Sequence, residues 1–346
     1  MNIIIRSVSR YFQRKRDEVR RKIGILFFDK KIIDRDVKKV LVMRLDAKWG
    51  DSIVSSFFFR ETIKANLDVT VLTVPSLASL YKDEFLISNV VTLPKRPGYF
   101  SLYKLAKRVG KVDAVIHLVD KMSMKDMFFI QLLGPGMVFS VDDELELVNV
   151  KMGQTTKNVS YANKYAFVLK ELGITNIDLS YIIPDSTDSV SVKYDIIFNP
   201  FGSTNNKSLS IDSAQSLICA VANKYNNKKI GILSSPGTFN TAVLMKPQHI
   251  DNVIVVENIN TIYSAISHIR ACDLLITVDT ALVHIGDGLD KNMLAIFPRN
   301  NSAFNPWLPS NKDSIKVIFS DANGSEVDLN NFDMTELLLG CESLLP

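Results

Sequence analysis

The chain has 346 residues, 47% of them hydrophobic, and a formal net charge of +4. That length suits two domains of ordinary size, each able to bury a core. It contains no run of the roughly 18 uninterrupted apolar residues that a membrane-spanning helix needs, and no secretory signal is expected, because the N-terminus lacks a compact apolar stretch with a small-residue cleavage site. The three cysteines, Cys219, Cys272 and Cys341, are far apart and form no CxxC pair. The apolar surroundings of Cys219 and Cys272 favour reduced core thiols in a cytoplasmic protein.

The charge is uneven. Residues 1–39 carry thirteen Lys/Arg against five Asp/Glu, so this segment stands at +8 and the remainder at −4. Ile4, Val8, Tyr11, Phe12, Val19, Ile23, Leu26 and Phe27 recur at helical steps, with Arg10, Arg14, Arg16, Arg20, Arg21 and Lys22 between them. A basic amphipathic helix over residues 1–30 suits an anionic inner-leaflet membrane surface. It serves equally as a helix packed on the body with a solvated basic face. Nucleic acid is not an expected partner, since no binding motif is present and the body is acidic.

Beyond this segment, short apolar runs alternate with helical patterns. Strands are expected at 40–45, 69–74, 89–93, 112–119 and 136–140, and helices at 51–65, 76–82, 100–109, 123–133 and 158–172. The alternation predicts a mostly parallel, doubly wound sheet. Gly173 closes the last helix, and the polar stretch 174–193 with Pro184 reads as a linker. A second series follows, with strands at 195–199, 229–233, 253–256, 273–278 and 292–297 and helices at 212–225, 238–246, 260–270 and 280–289. Residues 313–319 and an apolar helix near 334–344 form a tail able to pack back on the first domain. The expected organisation is a basic segment 1–37, a Rossmann-like domain 38–175, a linker 176–193 and a second Rossmann-like domain 194–346, the two domains facing a cleft.

Three stretches carry candidate chemistry. In KVLVMRLDAKWGD, residues 39–51, an apolar strand runs to a turn at Gly50, and Asp51 opens a helix. A carboxylate there sits at the carboxyl edge of a sheet, where open α/β proteins bind ligands. It can serve as a general base or simply as a first-turn acid favoured by the helix dipole. Asp46 is a rival, and Lys48 and Trp49 lie in the same turn. In FNPFGSTNNKSLSID, residues 198–212, Gly202, Ser203 and Thr204 expose backbone amides, Lys207 follows, and a helix begins near Asp212. Such a loop suits phosphate, although the GK[ST] ending of a P-loop is absent and an ordinary polar loop looks the same. In TVDTALVHIGDG, residues 277–288, Asp279 and Thr280 end a strand and start a helix, with His284 one turn on. A diphosphate or sugar hydroxyls fit such a helix start, while capping by Asp279 and a helix-face role for His284 explain it as well. The four histidines and three cysteines show no metal-ligand spacing. Asp34-Arg35-Asp36 is a formal DxD but precedes the first strand. No GxGxxG or GxSxG occurs.

Taken in order, RLDAKWGD at 44–51, NPFGSTNNK at 199–207, DTALVH at 279–284 and WLP at 307–309 make the chain resemble the bacterial lipopolysaccharide heptosyltransferases of glycosyltransferase family 9. The resemblance spans roughly residues 38–310 and implies an α/β GT-B fold. It implies inverting transfer from a nucleotide sugar, ADP-heptose, to a lipid-linked core oligosaccharide, with no metal or other cofactor. It also makes 38–175 the acceptor domain and places the enzyme in the cytoplasm, peripheral on the inner membrane. By position, Asp51 matches the catalytic base. Lys207 matches the lysine on the donor phosphates, Ser203 and Thr204 fall in the phosphate loop, and Asp279, Thr280, Ala281 and His284 match the donor-binding turn. Lys48 and Trp49 fall on the acceptor side. Two departures stand out: Ala281 replaces the usual glycine, and Pro298-Arg299-Asn300 replaces a Gly-Pro-Thr segment, so Arg299 becomes a candidate phosphate contact. These departures keep open a non-catalytic nucleotide-sugar-binding relative in envelope assembly, or a family 9 transferase with another donor. A nucleotide-sugar epimerase of similar fold is a further alternative, for which no second acid/base group is evident.

Overall fold

The structure is a computed structural model, and it describes residues 2–33, 36–46, 48–185, 190, 192–298, 305–321 and 328–345. By internal contacts the chain divides into two units, Met1–Ala47 with Phe57–Leu179, and Lys48–Ser56 with Ser180–Pro346.

The first unit contains helix α1 (Asn2–Phe28) and strand β1 (Lys39–Arg44). The chain then makes a short excursion, helix α2 (Trp49–Val54), which groups with the second unit. It continues through α3 (Ser56–Lys64), β2 (Asp68–Thr73), β3 (Asn89–Thr92), α4 (Tyr99–Val109) and β4 (Ala114–Ile116). It closes with α5 (Met124–Leu133), β5 (Met137–Ser140), β6 (Val150–Lys151) and α6 (Tyr161–Glu171). The six strands form one parallel sheet in the order β3-β2-β1-β4-β5-β6. Its central strands are continuous apolar runs because helices cover both faces. Leu41, Met43, Leu72, Val115 and Val138 share a core with Leu102 and Leu105 of α4 and Met127, Phe129, Ile130 and Leu133 of α5. Phe57, Phe58 and Phe59 are fully buried; Phe58 meets Tyr165 at a tilt, and Phe59 meets Tyr81 edge-on and Phe85 stacked.

Helix α1 lies on α5. Gly24 permits the approach, since a Cβ there would stand 2.5 Å from Met127 Cε and 2.9 Å from Met124 Cα. Arg21 clamps the helix, bonding Asp142 and the Met122 carbonyl at 2.8 Å and Glu144 at 3.0 Å. Covered by α1, α5 can be apolar on nearly every side.

The second unit runs β7 (Ile196–Asn199), α7 (Ile211–Lys224), β8 (Ile230–Ile232), α8 (Phe239–Met245), β9 (Val253–Val255) and α9 (Ile262–Ala271). It continues with β10 (Leu274–Val278), α10 (Ala281–Gly288), β11 (Asn292–Pro298), β12 (Ile315–Ser320) and α11 (Met334–Leu344). Its parallel sheet has the order β12-β11-β10-β7-β8-β9. Alternation sorts the strand residues. Ile196, Phe198, Ile276, Val278, Leu294 and Ile296 pack with α7, α8 and α11. On the other face, Gly286 lets α10 settle on Leu275 and Met293, each 2.9 Å from where its Cβ would be.

One sequence expectation needs correction. The single helix expected at 51–65 is two helices parted at Ser55. Ser52 and Ser55 turn their hydroxyls back on the carbonyls of Lys48 and Ser52, and the Ser56 hydroxyl accepts from the Ile182 amide. Hydroxyls that bond locally compete with helix continuation. In the tail, Leu337, Cys341 and Leu344 are buried in the core of the second unit. The segment 48–56, expected within 38–175, also groups with the second unit.

Candidate active site

The order of the second sheet reverses between β7 and β10, which pair directly with Asn199 opposite Thr277. Loops leaving the carboxyl ends of two such strands part to opposite sides and open a crevice, the usual ligand position in open α/β sheets. Two of the three sequence stretches leave from this point.

The loop after β7 is closed by its own bonds. The Leu209 amide donates to the Pro200 carbonyl at 2.9 Å, the Gly202 amide to the Ser208 hydroxyl at 2.9 Å, and the Thr204 hydroxyl to the Asn206 side chain at 2.6 Å. Gly202 is obligatory here, because a Cβ would lie 2.1 Å from the Lys207 carbonyl oxygen. Asn199 ties the loop to β10 through the Thr277 hydroxyl at 3.0 Å. Ser203 and Thr204 are exposed, and a 3-10 turn over Asn205–Lys207 aims Lys207 inward.

The loop after β10 meets it. Asp279 is not the cap of the following helix. That role falls to Thr280, whose hydroxyl accepts from the Leu282 amide at 3.1 Å. The Asp279 carboxylate is thereby left to Lys207, which it meets at 2.6 Å with 12% of its side chain exposed. The loop after β7 and the start of α10 thus bring an ammonium, its paired carboxylate and the first amides of a helix to one spot, where an anionic ligand can compete with Asp279 for Lys207.

Helix α2 seats on α10. An added Cβ on Gly50 would stand 3.2 Å from both Ala281 Cα and His284 Cδ2, so a glycine here allows two helix backbones to approach closely. Asp51 follows in the first turn of α2, 15% exposed, with Lys48 Nζ 3.4 Å from its carboxylate. Trp49 stands edge-on to Tyr263 of α9 at 5.7 Å, and the Lys48 ammonium lies 5.8 Å from the Trp307 ring centre. The residues around Asp51 therefore rest on Ala281, two positions from Asp279. Asp46, the rival carboxylate, belongs to the first unit and pairs with Arg44 at 3.3 Å.

His284 is buried beneath this contact, and its Nδ1 has no hydrogen-bond partner among the described residues. Burial pushes its pKa down to about 4, against a partial pull upward by Asp279 and Asp287. Above that value the imidazole is neutral. The unfolded chain gains a proton near pH 6.5 that the folded chain refuses until about 4, so stability is lost as pH falls through that window. At about 1.4 kcal/mol per pH unit the loss from this group approaches about 3 kcal/mol. Urea unfolding between pH 7.5 and 4.5 should therefore show a shallower loss for His284→Gln than for the native chain, and equal slopes would contradict the assignment.

Tyr263 carries no sequence signal, being one residue of an ordinary amphipathic helix. Trp307 lies in the WLP stretch, with its ring 6.3 Å from His284. Arg299 lies outside the described residues, as do Asp34 and Arg35 of the formal DxD. Among the described residues no group of three or more His, Cys, Asp or Glu is placed to hold a metal ion.

No family model matches the chain. It is 23% identical over 335 residues, 88% of each chain, to an Escherichia coli K12 protein provisionally named lipopolysaccharide heptosyltransferase 4. The structure of a family 9 glycosyl transferase from Veillonella parvula superposes with a TM-score of 0.71 at 16% identity, covering 91% of this chain and 99% of that one. The E. coli ADP-heptose lipopolysaccharide heptosyltransferase II gives 0.65 at 14% identity, covering 89% and 98%. By sequence and by fold, the resemblance to the lipopolysaccharide heptosyltransferases of glycosyltransferase family 9 is borne out, and the chain is a glycosyltransferase relative with the GT-B fold.

Proposed function

We propose that the chain is an inverting glycosyltransferase that moves a heptose from ADP-heptose to a lipid-linked core oligosaccharide. The observation that carries this is the meeting of Lys207 with Asp279 at the switch point of the second sheet, beside the seat of Gly50 on Ala281. Asp51 takes the proton of an acceptor hydroxyl as its oxygen attacks the anomeric carbon. The bond from that carbon to the diphosphate oxygen breaks, and the electron pair leaves with ADP. Lys207 and the amides at the start of α10 stabilise the departing charge, which is the role that needs fixed positive groups. In this reading Ser203 and Thr204 line the donor phosphates, Asp279, Thr280 and Ala281 hold the sugar and diphosphate, and Lys48 and Trp49 approach the acceptor. Transfer through these residues is metal-independent.

The acceptor is an amphiphile, and α1 offers it a route. Phe12, Val19, Ile23 and Leu26 form an exposed stripe along the helix, opposite the face docked on α5. We read residues 1–30 as resting on the anionic inner leaflet, which makes this a cytoplasmic, peripheral protein.

Calorimetric titration with ADP and ADP-heptose, followed by a transfer assay on a lipid-linked core acceptor, tests the function. Binding with transfer is expected. Binding without turnover favours the non-catalytic relative, for which Ala281 is the motivating departure. Transfer from a different nucleotide sugar keeps the chemistry and changes the donor.

A further inference from the structure

Helix α4 presents an unpartnered face of the same chemistry as α1. Leu102, Leu105 and Ala106 turn into the core, leaving Tyr99, Phe100 and Tyr103 exposed on the outside, Phe100 by 68%. Lys104 stacks over Phe100 at 4.4 Å and Lys107 over Tyr103 at 5.0 Å. Lys95, Arg96 and Arg108 are exposed nearby, and residues 94–112 contain no Asp or Glu.

The two helices flank one neighbour. Phe128 of α5 stands edge-on to Phe28 of α1 at 5.5 Å and to Tyr99 of α4 at 5.3 Å. Both helices therefore flank α5 within reach of one side chain, α1 through the face docked on α5 and α4 through its first residue, and each turns its exposed residues away from its own packed face.

We propose that α4 is a second membrane-contacting element, and that α1 and α4 together form one platform for an anionic phospholipid surface. The inference rests on the membrane reading of α1 given above and extends it to residues outside 1–30. Charge complementarity names the occupant. Aromatic rings interleaved with lysines suit the headgroup layer, where rings bury at the acyl boundary and ammonium groups meet phosphates. A protein surface would demand matching acids and a defined register, whereas a lipid surface needs only area and sign. A two-part footprint also fixes the orientation of the first unit on the bilayer, which a single helix, free to roll about its axis, does not.

The test is sedimentation of the full chain with vesicles of phosphatidylcholine, alone or mixed with phosphatidylglycerol. The triple variant Phe100→Ser, Lys104→Ser, Lys107→Ser removes the α4 contribution without touching buried residues. Two surface cations at about fivefold each, with one interfacial ring besides, predict partitioning onto the anionic vesicles at least about twentyfold weaker. Circular dichroism should be unchanged. The pair Phe12→Ser, Leu26→Ser should also weaken binding. If the α1 variant loses binding while the α4 variant binds as the native chain does, this inference is overturned and the α1 reading stands. If the native chain binds neither vesicle, both fail. If light scattering shows a dimer that either variant converts to a monomer, with no vesicle binding, the platform is an interface between copies and the inference is wrong.

Discussion

Replacing Asp51 with asparagine is expected to lower turnover by about a hundredfold to ten-thousandfold, the range lost when a positioned general base is removed. That corresponds to about 3–5 kcal/mol of transition-state stabilisation. Asparagine matches aspartate in shape, so Gly50 should keep its seat against Ala281 and His284, and α2 should stay on α10. Donor affinity by calorimetry should then change by less than about threefold, because the base acts on the acceptor hydroxyl and not on the diphosphate. Turnover near that of the native chain would remove Asp51 from the role. An equal loss of donor affinity would make Asp51 part of the donor site.

Substituting Lys207 with methionine should have the next largest effect, and on a different parameter. The ammonium is the positive side chain that the loop after β7 brings to Asp279. Without it the diphosphate binds less well and leaves less easily, so kcat/KM should fall by about a hundredfold to a thousandfold, with both KM and kcat affected. Part of the damage is structural, because Asp279, only 12% exposed, loses its ion-pair partner. Adding Asp279→Asn to the Lys207→Met variant should recover thermal stability without recovering transfer. If the double variant regained turnover, Lys207 would be no more than a support for the loop.

The central strands are legible because they are continuous apolar runs, the pattern of a parallel sheet covered on both faces. Val40–Val42 and Leu274–Val278 read plainly for this reason. The two-residue strand β6 was not, since Val150–Lys151 is too short to show a period. Strand order was equally hidden, yet it decides the site. That β7 lies beside β10, so that the loops carrying Lys207 and Asp279 meet, follows from the packing of the whole second unit. The three site stretches could be picked out by residue type alone, but their division of labour could not. By residue type Asp279 is as good a cap as Thr280, and only the fold gives that position to Thr280. The grouping of α2 with α10 was the least accessible feature. It depends on Gly50 meeting Ala281 far along the chain, and nothing local marks a glycine for so distant a partner. On the first unit, α1 advertised its amphipathic character, whereas α4 concealed its exposed aromatic rings. Tyr99, Phe100 and Tyr103 look like core residues in sequence and are exposed only because Leu102, Leu105 and Ala106 take the inward face.

The central claim is that the α2 turn holds a base over a donor whose diphosphate lies against Lys207. A crystal structure with a non-hydrolysable ADP-heptose analogue tests it most directly. The predicted result puts Lys207 Nζ within about 3 Å of a diphosphate oxygen and the Asp51 carboxylate on the side of the anomeric carbon away from the leaving group, at a distance that one acceptor hydroxyl fills. An analogue bound away from the crevice between the β7 and β10 loops, or with Asp51 turned from the sugar, would contradict it.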